Sequence, residues 1–149
     1  MTRGLVKIDS VYVAASSDEV ERNRAQHWIN TLASAGLTCT SPWIKSIEDH
    51  GVANPRGGAD ANGLRIQVSN ENRTAIDAAS LLWMLAPPAG IHTCGAWWEA
   101  GYAVARNKIV IYSGDDTARS VFASLGQEFK DDLSAFATIC RLTRDGAWV

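Results

Sequence analysis

The chain has 149 residues with 14 Lys and Arg against 16 Asp and Glu, a net charge of −2, and is 46% apolar and 20% charged. That balance describes an ordinary globular protein, and without a basic cluster it argues against a nucleic-acid surface, whose affinity rests on many Lys and Arg contacts to phosphate. No apolar run approaches membrane-spanning length and Met1-Thr2-Arg3-Gly4 opens no apolar leader, so a soluble, cytoplasmic chain with no membrane partner is expected. The length suits one domain over residues 1–149. Cys39, Cys94 and Cys140 have neither C-x-x-C spacing nor a His pair nearby. They read as reduced, mostly buried thiols, and no metal or other cofactor is expected.

Val11 to Ala15 is a short β-branched and apolar run that reads as a first buried strand. Ser16 with Glu19 has the form of a capping box, and a helix is expected from Asp18 to Ala35, with Ala25, Trp28, Ile29 and Leu32 inward and Gly36 ending it. The turn at Ser16-Ser17 offers free backbone N–H groups and two hydroxyls, which suit helix capping and an anion alike. Leu37 to Ser41 reads as a second strand, stopped by Pro42. From Trp43 to Ala61 no periodicity is sustained, and Asn54-Pro55-Arg56-Gly57-Gly58 is turn-forming throughout. Such a connection is either a binding loop, with Trp43 to stack on a ligand and Arg56 to pair with an anion, or a surface loop pinned by a buried Trp43.

Leu64, Val68, Ala75 and Ala79 place a helix over residues 62–79 with Asn62 as its cap. Leu81 to Leu85 is an uninterrupted apolar run of strand length, closed by Pro87-Pro88 and followed by small residues at helical spacing: Gly95, Ala96, Ala100, Gly101, Ala103. One acid, Glu99, interrupts that helix. It is either a site carboxylate beyond the C-terminal edge of the sheet or an acid complementing the helix dipole. Lys108 to Tyr112 is a fourth strand, Val121 to Ala123 a weaker fifth, and a last helix spans Lys130 to Arg144.

Strands alternating with helices predict a three-layer α/β/α fold, flavodoxin-like or Rossmannoid, with a parallel sheet of five strands in the order 2-1-3-4-5. Its switch point brings the tips after the first and third strands together: Ser16 and Ser17 facing His92 to Gly95, with Glu99 behind and Tyr12 close by.

The Val-Tyr-Val-Ala-Ala strand, the apolar third strand and Gly95-Ala96-Trp97-Trp98-Glu99-Ala100-Gly101-Tyr102-Ala103 followed by Asn107-Lys108-Ile109-Val110-Ile111 resemble the nucleoside 2-deoxyribosyltransferase family, which includes 2′-deoxynucleoside 5′-monophosphate N-glycosidases. The resemblance covers residues 11–112. It implies a nucleoside or nucleotide as the small-molecule partner and a homodimer or larger assembly. It also implies that Glu99 attacks the anomeric carbon and holds the sugar as an ester, with retention as in retaining glycosidases. Tyr12 matches the tyrosine that positions that carboxylate. Thr93 falls where the transferases carry an Asp and the monophosphate glycosidases a phosphate-contacting hydroxyl, and Gly95 matches the glycine whose N–H assists there.

Two positions depart from the pattern. Asn72 stands where the family places an Asp that assists the leaving base, and Ser80 replaces an acid at the helix-to-strand junction. An Asn cannot exchange the proton that an Asp can; Glu71, Asp77 or His92 are the candidate substitutes. Trp97 and Trp98 stand where smaller residues are usual, so Trp98 either narrows the sugar pocket or makes a subunit contact. Two further readings compete: a nucleotide-binding module of the same fold with weakened chemistry, and a phosphoribohydrolase of the cytokinin-activating type.

Overall fold

The computed structural model describes residues 4–51, 61–117 and 120–148. In chain order the elements are β1 (Leu5–Val6), β2 (Ser10–Ala14), α1 (Glu19–Ser34), β3 (Thr38–Cys39), α2 (Trp43–His50), α3 (Ala61–Ala78), β4 (Leu81–Leu85), α4 (Cys94–Ala105) and β5 (Ile109–Ser113). A 3-10 turn (Val121–Leu125), β6 (Gln127–Phe129), α5 (Asp132–Asp145) and β7 (Ala147–Trp148) complete the chain. Five strands form a parallel sheet in the order β3-β2-β4-β5-β6. This is the predicted α/β architecture; the numbering shifts because β1 pairs antiparallel with β7 in a separate ribbon, which periodicity did not reveal.

Every residue of β2 and β4 is buried, as continuous apolar strands covered on both faces must be. Trp83 is fully buried and packs on Trp28 of α1, which in turn packs on Phe136 of α5, so these two helices share one face. Tyr12 points the other way, toward α4, which lies beside α3. The stripe Ala96, Ala100 and Ala103 is what α4 turns inward. Methyl-sized side chains let that helix lie close to β4 and β5.

Four expectations are corrected. The segment after Pro42 begins with α2, whose Trp43, Ile44 and Ile47 are buried and whose end is set by Gly51 at φ 74°; eight residues were too few to register as sustained periodicity. Ser16 is not the cap of α1. Asp18 is, its carboxylate accepting from the Val20 N–H. Val121 to Ala123 lies in the 3-10 turn, and the fifth strand is Gln127–Phe129, whose Gln127 and Glu128 are exposed at the sheet edge. Finally, all three cysteines are free thiols, but Cys94 is exposed and the other two are half-buried. Among the described residues no helix is long and apolar enough to cross a membrane, and no group of His, Cys, Asp and Glu could hold a metal.

Candidate active site

Strand β4 runs out through Ala86 into the turn Pro87-Pro88-Ala89-Gly90, where Gly90 takes φ 87°, a region that favours glycine. The chain then reaches Thr93, the cap residue of α4, and turns back along the sheet. Glu99 is the sixth residue of α4. It lies beyond the first turn, where the helix dipole acts most strongly, so complementing the dipole does not explain it.

Its partner does. The Tyr12 hydroxyl, on a residue with no exposed surface, donates to the Glu99 carboxylate across 87 positions of sequence. Burial raises the Glu99 carboxyl to about 7, and the Tyr12 hydrogen bond pulls in the opposite direction by favouring the anion. Burial and the neighbouring Glu99 charge push the Tyr12 phenol well above its usual value. Tyr12 therefore stays a donor, and the pair consists of a fixed phenol and a carboxylate that titrates near neutrality. Such a carboxylate is within reach of its anionic form around neutral pH, which suits a nucleophile or a general base.

The switch-point tips meet as expected. Ser16, almost fully buried, donates its hydroxyl to the His92 carbonyl at 2.8 Å and accepts from the Asp18 N–H at 3.2 Å. Its single proton is thereby engaged, so Ser16 is a brace between the two tips, while Ser17 is exposed beside it. Gly95 is exposed in the first turn of α4, where backbone N–H groups lack intrahelical partners.

Three described side-chain atoms are buried without a hydrogen-bond partner: Arg22 Nε, Asn72 Oδ1 and Thr93 Oγ1. Two of them belong to residues singled out from the sequence. An orphaned buried polar atom is uncommon in a folded protein and is accounted for when a ligand satisfies it. Arg22 lies one turn into α1 and was not foreseen.

Other candidates are placed elsewhere. Trp43 is 8% exposed and donates its indole N–H to the Val13 carbonyl at 2.8 Å, the arrangement of a pinning residue. Arg56 lies outside the described residues. Trp98 is 56% exposed and stacks on Tyr102 with ring centroids 5.5 Å apart, whereas Trp97 stacks on Tyr112 and is half-buried. Of the substitutes for the missing acid, Glu71 is exposed and accepts from Gln67, and Asp77 accepts from Tyr102 and Arg106. His92 is exposed on the loop, its Nδ1 3.9 Å from the Cys94 sulfur.

No protein-family model and no curated protein sequence matches this chain. Solved structures do. A 2-deoxyribosyltransferase from the psychrotolerant bacterium Bacillus psychrosaccharolyticus superposes with a TM-score of 0.64 over 87% of this chain and 95% of its own, at 17% identity. A CMP N-glycosidase from Clostridium botulinum superposes with a TM-score of 0.51 over 90% of this chain and 98% of its own, also at 17% identity. The class defined here is thus an α/β protein with the deoxyribosyltransferase-type fold. The two solved neighbours described are a deoxyribosyltransferase and a CMP N-glycosidase.

Proposed function

We propose that this protein cleaves or exchanges the N-glycosidic bond of a nucleoside or its 5′-monophosphate. The carrying observation is the Tyr12–Glu99 hydrogen bond, which joins an ionisable carboxylate to a buried donor at the switch point of the sheet. In this reading the Glu99 carboxylate attacks the anomeric carbon as the bond to the base breaks, and water or a second base then releases the sugar from the ester. Tyr12 holds the attacking oxygen. Incubation with a panel of nucleosides and monophosphates, with and without an acceptor base, tests it; absence of free or exchanged base across the panel rejects it in favour of a nucleotide-binding module.

Asn72 is the weak point of the chemistry. Its orphaned Oδ1 supports a place against the ligand, but an amide supplies no proton to the departing base. Asn72→Asp is expected to raise base release at mildly acidic pH, by about 10-fold or more if proton transfer limits the rate. Steady-state rates from pH 5 to 8 decide this, and unchanged rates with the fold intact assign assistance to another group.

The 5′ end of the substrate is read by Thr93 and the first turn of α4. The Thr93 hydroxyl is unsatisfied, the Gly95 N–H is in the turn that attracts anions, and no carboxylate occupies position 93 to repel a phosphate. Nucleoside 5′-monophosphates are therefore expected to bind at least about tenfold more tightly than nucleosides, roughly 1.4 kcal/mol. Calorimetric titration of a monophosphate and its nucleoside measures the difference; equal affinity removes the phosphate subsite and favours the nucleoside transferase reading.

A further inference from the structure

On the face of the sheet away from Tyr12 lies a second cluster of charged groups, built around Arg24 of α1. Its Nε and one terminal nitrogen grip the two oxygens of Asp132, both at 2.7 Å. The other terminal nitrogen reaches Glu21 at 2.8 Å and the Ala86 carbonyl at 2.9 Å, and the first also reaches the Ser113 carbonyl at 3.2 Å. All five guanidinium donors are thus used. Asp132 accepts as well from the Ser113 hydroxyl at 2.7 Å and the Trp28 indole at 3.0 Å. Burial alone would raise the Asp132 carboxyl; these hydrogen bonds and the Arg24 charge outweigh it and hold the group below its usual range.

The two carbonyls are informative. Ala86 and Ser113 stand at the C-terminal ends of β4 and β5, and Ala86 is where the chain leaves the sheet toward Thr93. Ser16 holds the far end of the same loop at His92, so residues 86–93 are tied to the α1 side at both ends. The backbone leaves room for this. A Cβ on Gly114, which has φ 136°, would meet the Ala86 carbonyl oxygen at 2.6 Å and the Arg24 guanidinium at 3.3 Å.

A partly buried pair of this kind adds little net stability over well-packed apolar residues of equal volume. It does impose one geometry on every segment it bonds. We propose that Arg24 is a positioning residue for the site: paired with Asp132, it fixes the loop 86–93 and so presents Thr93 and the opening turn of α4 to the ligand. The kinetic part of this inference rests on the function proposed above; the structural part does not.

Arg24→Lys keeps the charge but has three donors to serve acceptors on four segments, and it cannot form the planar grip on Asp132. Hydrogen exchange of the full chain, read by mass spectrometry, is expected to accelerate in the peptide covering 86–93 by at least about tenfold, with β2 unchanged. KM for a 5′-monophosphate is expected to rise at least about fivefold with kcat within about twofold. The pH midpoint of base release should stay where it is, because Glu99 and Tyr12 lie on the other face. Asp132→Asn, which keeps the shape and loses the charge, is expected to fall between wild type and Arg24→Lys, and it carries the same readouts if Arg24→Lys does not fold. Exchange unchanged in 86–93, exchange accelerated evenly along the chain, or an unchanged KM each overturns the proposal. If the wild type releases no base, the functional reading fails on its own, and the exchange measurement still decides whether Arg24 fixes the loop.

Discussion

Replacing Glu99 by Gln is expected to abolish base release and, at pH 8, to make the protein more stable. The amide keeps the shape and can still accept from Tyr12, but it has no anionic oxygen to form the glycosyl ester, so turnover should fall by about 10⁴-fold or more. The stability effect follows from linkage. The folded-state value near 7 is above the ordinary carboxylate value of 4.5, so the fold prefers the protonated acid. The contribution of Glu99 to wild-type stability is therefore greatest below about pH 4.5 and declines as pH rises through the folded value of about 7. A neutral Gln carries no such penalty. The variant should gain about 1–3 kcal/mol over wild type at pH 8, several degrees in Tm, and almost nothing near pH 4.5. Thermal melts at the two pH values together with base-release assays check both halves. Equal turnover removes Glu99 from the mechanism, and a stability difference independent of pH removes the buried, titrating carboxylate.

The second large effect belongs to Tyr12. In Tyr12→Phe the ring still fills its buried position, but the carboxylate loses the donor that favours its anionic form. The Glu99 midpoint should then move above about 7, and the acidic limb of the rate profile should move with it. A hydrogen bond to a charged group contributes about 1.5–3 kcal/mol, so base release at pH 7 should fall roughly 10- to 150-fold, with part of the loss recovered at pH 8.5. A rate profile with an unmoved midpoint would show that the phenol serves packing alone.

The central strands and the small-residue helix were legible because their burial is written locally. A continuous apolar run of five residues such as Leu81 to Leu85, closed by Pro87-Pro88, has the length of a strand covered on both faces, and a single acid among Ala and Gly at 95–103 stands out against its neighbours. The edge of the sheet was not legible. In β6, Gln127 and Glu128 face solvent, so the strand carries no apolar alternation. Helix α2 did leave a trace, Trp43, Ile44 and Ile47 ahead of Gly51, but it is only eight residues long. What lay outside any local reading was side-chain commitment between distant segments. Ser16 has the sequence context of a cap and spends its proton on His92 instead. Arg24 and Asp132 meet across 108 positions, and nothing near either residue announces the other.

The same holds for Trp43, which has a consequence for self-association. Strand β3 pairs with β2 only at Ser10 and Val11. Beyond that point the Ser41 hydroxyl accepts from the Val13 N–H at 2.6 Å and the Trp43 indole donates to the Val13 carbonyl at 2.8 Å. Two side chains thus do the work of a longer neighbouring strand. The inner strand beside the site offers no row of unpaired amides on that side to serve as a template for another chain. At Val13 the sheet is closed off by side chains rather than by a further strand.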